Sequence, residues 1–103
     1  MLYEVTIEVI EVRGSCALGY KVGDKLIVEG FYIDPTKNEA KICIHALTSM
    51  TSLLSPFLHG VSARVLGIGE RDDEGYLQCP DPGKPYTCGG TVIFRVKREE
   101  KAS

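Results

Sequence analysis

The sequence lacks several features that would place it in a familiar class of protein. No apolar run approaches the roughly 20 residues needed to span a bilayer. The formal net charge of −2 gives no basic surface of the kind that nucleic-acid-binding domains use. Glutamates interrupt the first apolar residues, whereas a signal peptide needs an uninterrupted apolar stretch. We therefore expect a cytoplasmic protein that binds neither nucleic acid nor membranes.

Side-chain amides are scarce. Asn38 is the sole asparagine and Gln78 is the sole glutamine. Depletion of these thermolabile residues is typical of proteins from hyperthermophiles. This composition bears on the cysteines, because intracellular disulfides are common in hyperthermophiles and rare elsewhere.

Motifs for catalysis and for strong metal binding are also missing. The four cysteines are Cys16, Cys43, Cys79 and Cys88, and they form no Cys-x-x-Cys pair. No phosphate loop, nucleophile elbow or Ser/His/Asp arrangement is recognisable. The sequence therefore predicts no catalytic residues and favours a protein that is not an enzyme.

One stretch, residues 41–60, has a clear helical period. Apolar residues recur there at intervals that place them on one face of a helix, namely Cys43, Leu47, Met50, Leu54, Phe57 and Leu58. Pro56 predicts a kink or a break, because proline lacks an N–H group and clashes with the preceding turn. Gly60 is the natural end of the helix.

The rest of the chain, which we expect to form a single domain over residues 1–103, is typical of strands and turns. Alternating or apolar runs predict strands at residues 3–9, 25–33, 63–69, 76–79 and 91–97. The alternation slips near residue 10, which predicts a β-bulge. Residues 98–103 are predicted to be a frayed tail. The expected fold is α+β, with a mostly antiparallel sheet of about four to five strands packed with one main helix.

Four segments together resemble a family of short uncharacterised archaeal and bacterial proteins. The segments are Cys16-Ala-Leu-Gly19 running into Lys21-Val-Gly-Asp24, then Glu29-Gly30, then Ile42-Cys43, and finally Cys79-Pro-Asp-Pro82. The family pattern includes cysteines that correspond to Cys16, Cys43 and Cys79. Cys88 departs from this pattern. The resemblance implies that three cysteines act together, and it supplies no activity.

The leading hypothesis is a metal- or small-ligand-binding module that uses Cys16, Cys43 and Cys79. Three thiolates could hold zinc or another thiophilic metal, with Asp81 or water as the fourth ligand. In a sheet of this kind Cys16 and Cys79 end strands that run in the same direction. Convergence therefore requires residues 34–40 to return the chain to that end of the sheet.

Other interpretations of these residues stay open. The cysteines could be simple buried side chains, or two of them could form a disulfide. The chain could instead be a structural or protein-interaction domain with no catalytic site, including a homodimer. A thiol enzyme with Cys43 as nucleophile ranks last, because no base is recognisable. We expect His45 to be solvated and His59 to favour the negative end of the helix.

Overall fold

A computed structural model describes residues 2–101 of the chain. Within this range the elements are β1 (Leu2–Gly14), β2 (Lys25–Glu29), α1 (Ile44–Leu58), α2 (Ala63–Leu66), β3 (Glu74–Gln78) and β4 (Gly90–Lys101). The strands form one sheet in the order β2-β1-β4-β3, and each neighbouring pair is antiparallel. The predicted α+β class with an antiparallel sheet is thus confirmed. None of the helices in residues 2–101 is long and apolar enough to cross a membrane.

The two long central strands, β1 and β4, carry most of the sheet's buried face. Alternate residues of both strands point into one core, namely Val5, Ile7, Val9, Val92, Phe94 and Val96. The β1–β4 register shifts between Val9 and Glu11, so the predicted bulge near residue 10 is confirmed. The extra residue lets Val12 pack against the same core beyond the bulge.

Helix α1 packs its apolar face on this sheet. Its buried residues are Ala46, Met50, Leu54, Phe57 and Leu58. The predicted face is therefore confirmed for most positions, but Leu47 lies at its margin and is only partly buried. The helix continues through Pro56, so the predicted break does not occur. It ends at Leu58, and Gly60 follows with a φ of 98°, a left-handed conformation that suits glycine.

Three sequence-based predictions are wrong for physical reasons that are visible in the structure. The strand predicted at residues 25–33 ends at Glu29, because the chain reverses between Glu29 and Tyr32. Residues 63–69 do not form a strand, because Ser62 caps a short helix by accepting a hydrogen bond from Arg64 N at 3.1 Å. Residues 98–101 are not a frayed tail, because β4 stays paired with β1 as far as Lys101. Residues 102 and 103 of that predicted tail lie outside the described residues.

The chain returns along the outer side of β2 before α1 begins. Tyr32 and Glu29 exchange two backbone hydrogen bonds of 2.7 and 2.9 Å, which reverses the chain after β2. The return segment, residues 32–42, then passes through a 3-10 turn at Pro35–Lys37 and reaches Cys43. Strands β1 and β3 run in the same direction, because both are antiparallel to β4. The start of α1 therefore reaches the end of the sheet where β1 and β3 finish, which places Cys43 near the loops that carry Cys16 and Cys79.

The different burial of two leucines on α1 makes a testable prediction. Leu54 is 3% exposed in the core, so Leu54→Ala should lower the free energy of unfolding by about 2–5 kcal/mol. Leu47→Ala removes the same atoms from a partly buried position and should cost less than about 2 kcal/mol. Urea denaturation of both variants would measure the difference. Equal losses would show that α1 presents a different face to the sheet.

Candidate functional site

Three cysteines from distant parts of the sequence line one cavity. Cys16 lies in the loop after β1, Cys43 is the N-cap residue of α1, and Cys79 follows β3. The cavity has a volume of about 380 Å³. Apolar side chains form much of its wall, including Ala17, Leu18, Ala46, Val92 and Phe94. The cavity lies where the ends of β1 and β3 meet the start of α1.

Backbone bonds to β4 hold Cys79. Its N–H donates to Val92 O at 3.0 Å, which continues the β3–β4 pairing one residue beyond the end of β3. Val92 N in turn donates to Cys79 Sγ at 3.2 Å, and Sγ lies 3.7 Å from Gly90 O. Cys79 is therefore a buried thiol in a defined position rather than a side chain that turns freely in a loop.

Tyr20 joins the Cys16 loop to the start of α1. Its hydroxyl accepts a hydrogen bond from Cys43 N at 2.9 Å and donates one to Lys41 O at 2.8 Å. The ring packs edge-on against Phe94, with 5.9 Å between the ring centroids. Partial burial is the main cause that raises the pKa of Tyr20 above its ordinary value, so the hydroxyl stays protonated and keeps both bonds at neutral pH. Sequence reasoning missed Tyr20, because its partners lie far along the chain.

Asp81, the predicted fourth metal ligand, lines the cavity but serves the turn that contains it. Its Oδ1 accepts hydrogen bonds from Gly83 N at 2.8 Å and from the hydroxyl of Thr87. The Thr87 bond, followed by the Gly83 bond, lowers the pKa of the Asp81 carboxyl. An aspartate that bonds its own turn in this way stabilises the loop after Cys79.

The fourth cysteine and the two histidines occupy different positions. Cys88 is exposed and lines a separate cavity with Arg13 and Lys84. His45 is exposed, as predicted, and it also lies on the wall of the three-cysteine cavity. His59 Nδ1 lies 2.8 Å from Ser55 O, the carbonyl one turn back in α1. The predicted role of His59 at the end of the helix is consistent with this contact.

The metal site predicted for Cys16, Cys43 and Cys79 stays a prediction. In residues 2–101, no three histidine, cysteine, aspartate or glutamate side chains are grouped so that they could hold a metal ion. All four cysteines, each of which lies in this range, are free thiols.

Comparison with known proteins gives no match: no family model, curated protein or solved structure is similar to the chain. The resemblance based on the cysteine segments therefore stays a prediction. The geometry of the cavity is the observation from which a function is inferred.

Proposed function

We propose that the protein is a small-ligand-binding module, and that a compact, mostly apolar molecule binds in the cavity between Cys16, Cys43 and Cys79. The observation that carries this proposal is the cavity itself, at about 380 Å³ and lined by three thiols on an apolar wall. This volume lies in the range of about 300–1,000 Å³ that is usual for small-molecule sites.

The polar groups around the cavity favour an apolar ligand. Tyr20 and Asp81 already form hydrogen bonds within the protein, to the start of α1 and to the turn after Cys79. Apart from the exposed His45, which also lies on the wall, a strongly polar ligand would find few new partners to replace the hydration that it loses, which is unfavourable. The thiols are soft and polarizable and suit apolar or aromatic surfaces. A small aromatic molecule therefore fits the chemistry of the wall.

Zinc or another thiophilic metal is the alternative ligand of the same three cysteines. A tetrahedral site with Zn–S bonds of about 2.3 Å would bring the sulfurs within about 4 Å of one another. Cys88 takes no part in either form of the proposal.

Indole, as a small aromatic probe, tests the apolar-ligand proposal. We expect a titration followed by ¹H–¹⁵N NMR to shift the amide signals of the cavity wall, including Cys16, Cys43 and Ala46. Cys16→Phe should fill part of the cavity and weaken indole binding by about tenfold or more, which corresponds to about 1.4 kcal/mol. The matched control is Cys88→Phe, which adds the same side chain at a separate cavity and should leave indole binding unchanged.

A parallel titration with Zn²⁺ separates the two ligands. Stoichiometric Zn²⁺ binding that is lost in Cys16→Ser, Cys43→Ser and Cys79→Ser, and kept in Cys88→Ser, would replace the apolar ligand by a metal. Indole shifts outside the cavity, or equal binding to Cys16→Phe and Cys88→Phe, would contradict the proposal. If neither probe binds, a structural or protein-interaction domain becomes the better hypothesis.

A further inference from the structure

Strand β2 is an edge strand of the four-stranded sheet, and its outer side is not paired with another strand of that sheet. Gly30 N donates to Tyr3 O of β1 at 3.0 Å. Bonding to β1 alternates along β2, so the backbone groups of the even-numbered residues Leu26 and Val28 also face β1. Successive residues of an antiparallel strand direct their backbone groups to opposite sides. The backbone N–H and C=O groups of Lys25, Ile27 and Glu29 therefore point away from the sheet. Such an edge can pair with another strand unless something covers it.

The side chain of Asn38 covers the middle of this edge. Ile27 N donates to Asn38 Oδ1 at 2.6 Å, and Asn38 Nδ2 donates to Ile27 O at 3.2 Å. A side-chain amide carries one acceptor and a donor group, so it can occupy the two positions that a neighbouring strand would use. Asn38 Nδ2 also donates to Asp34 O at 2.8 Å, which holds the amide in this orientation. One residue thus takes the place of a fifth strand at Ile27.

Two further contacts keep the return segment against β2. Glu29 exchanges its outward backbone bonds with Tyr32. The Lys37 ammonium donates to the Glu29 carboxylate, and this bond lowers the pKa of Glu29. The Lys37–Glu29 pair is partly exposed and is therefore weakened by salt. The two hydrogen bonds between Asn38 and Ile27 therefore cover the centre of the β2 edge.

The sequence of β2 is complementary to itself in the antiparallel direction. It reads Lys25-Leu-Ile27-Val-Glu29, with a cation at one end and an anion at the other. Two copies that pair about Ile27 place Lys25 of each copy opposite Glu29 of the other. Opposite charges directly across a strand pair are favourable. Leu26 and Val28 keep facing their own cores, because the pairing extends each sheet without turning it over.

We propose that the β2 edge is a latent pairing surface for a second copy of this chain, and that Asn38 keeps this surface closed. Pairing displaces residues 32–38 from the edge of each copy and replaces the Lys37–Glu29 contact with Lys25–Glu29 contacts between copies. The opposite edge of the sheet is covered differently, because Tyr76 N of β3 donates to Ile68 O at 2.7 Å. Association through β2 alone therefore stops at a dimer.

Removal of the contacts made by the return segment tests this proposal. Sedimentation velocity should show a monomer of 11.3 kDa for the native chain. Asn38→Ala combined with Lys37→Ala should form a dimer of twice that mass, with a dissociation constant at least about tenfold lower than that of the native chain. Asn38→Asp keeps the acceptor for Ile27 N and loses the donor to Ile27 O, so it should lower the dissociation constant of the dimer by less than the double variant does. Thr36 lies in the same segment and forms its side-chain hydrogen bond with Asp34 rather than with β2, so the Thr36→Ala variant should remain monomeric.

Charge exchange tests the predicted register. In the Asn38→Ala/Lys37→Ala background, Lys25→Glu and Glu29→Lys each place like charges opposite one another, so each variant alone should be monomeric. An equimolar mixture of the two restores opposite charges at both ends and should form the heterodimer.

Several results would overturn the proposal. A folded Asn38→Ala/Lys37→Ala variant that stays monomeric, with a native circular dichroism spectrum, would show that Asn38 does not guard a pairing surface. If that variant is unfolded, a native-like Asn38→Asp variant with no increase in association would lead to the same conclusion. Large aggregates, or a dimer that ignores the charge exchange, would contradict pairing through β2.

Discussion

Gly90→Ala is expected to lower the free energy of unfolding by about 3 kcal/mol or more, at the upper end of the usual cost of overpacking. A methyl group on Gly90 would lie 2.2 Å from Arg13 O and 2.6 Å from Ser15 N. Both neighbours are backbone atoms, one in the last residues of β1 and one directly after it, on either side of Gly14, which pairs with Gly90. Backbone atoms in a paired strand cannot move aside as a flexible side chain can. The first pair of the β1–β4 ladder must therefore separate.

Gly19→Ala provides the matched control for Gly90→Ala. Gly19 has a φ of 85°, and no heavy atom would lie within 4 Å of an added methyl group. The change costs only the strain of a left-handed backbone, about 1–2 kcal/mol. Guanidinium denaturation of the two variants measures the difference. Equal losses would mean that β1 and β4 do not approach closely at Gly90.

The predictions for strands and for a helix with one buried face were confirmed, because burial of one face makes apolar residues recur at a regular spacing in the sequence. In β1 and β4 alternate side chains meet a single core, so the apolar runs at residues 3–9 and 91–97 were enough to locate both strands. The bulge near residue 10 could be predicted for the same reason, because the extra residue moves the apolar residues from odd-numbered to even-numbered positions. The period of α1 identified Leu54 in the same way, but it could not show that Leu47 lies at the margin of the face.

Short elements could not be predicted in the same way. Helix α2 has four residues, which is too short to display a helical period. Its apolar residues were therefore interpreted as a strand, although one of them, Val65, is exposed. The informative signals were the cap at Ser62 and the left-handed Gly67 at the end of the helix. Cap residues decide a short helix more reliably than hydrophobicity does.

The location of the cysteines depended on contacts between residues far apart in sequence. Cys16 and Cys79 could be placed at one end of the sheet from strand direction alone. The position of Cys43 required the return segment, which is held by Asn38 and Tyr32 against β2. A side-chain amide that replaces a strand leaves no periodic pattern in the sequence. The cavity could therefore be suggested from the sequence, whereas its wall and its link through Tyr20 could not.

Arg98→Ala is expected to lower the free energy of unfolding by about 2–4 kcal/mol, because several charge-assisted hydrogen bonds disappear together. Arg98 Nη1 donates to Phe57 O at 2.7 Å and to Val61 O at 2.8 Å, and Nη2 lies 3.2 Å from Asp72 O. These carbonyls belong to the end of α1, to the residues after it and to the segment before β3. One side chain therefore ties three separate parts of the chain to β4.

The guanidinium of Arg98 also stacks on two aromatic rings. Its Cζ lies 4.9 Å from the centroid of Tyr3 and 4.6 Å from that of Phe57, which is fully buried. Planar stacking and hydrogen bonds from two nitrogens distinguish arginine from lysine. Arg98→Lys should therefore recover only part of the loss caused by Arg98→Ala. A lysine can keep the charge near the carbonyls but cannot reproduce the planar contact.

Lys97→Ala is the matched control, since Lys97 is the neighbouring residue of β4 and is exposed. A surface change of this kind should alter the free energy of unfolding by no more than about 0.5 kcal/mol. Thermal and urea denaturation of Arg98→Ala, Arg98→Lys and Lys97→Ala should rank the losses in that order. If Arg98→Ala and Lys97→Ala were equally mild, the end of β4 would behave as the frayed tail that its polar sequence suggested. A large loss confined to Arg98 would instead establish that this polar stretch is part of the folded protein, because its charged side chain joins β4 to carbonyls at the end of α1, after α1 and before β3.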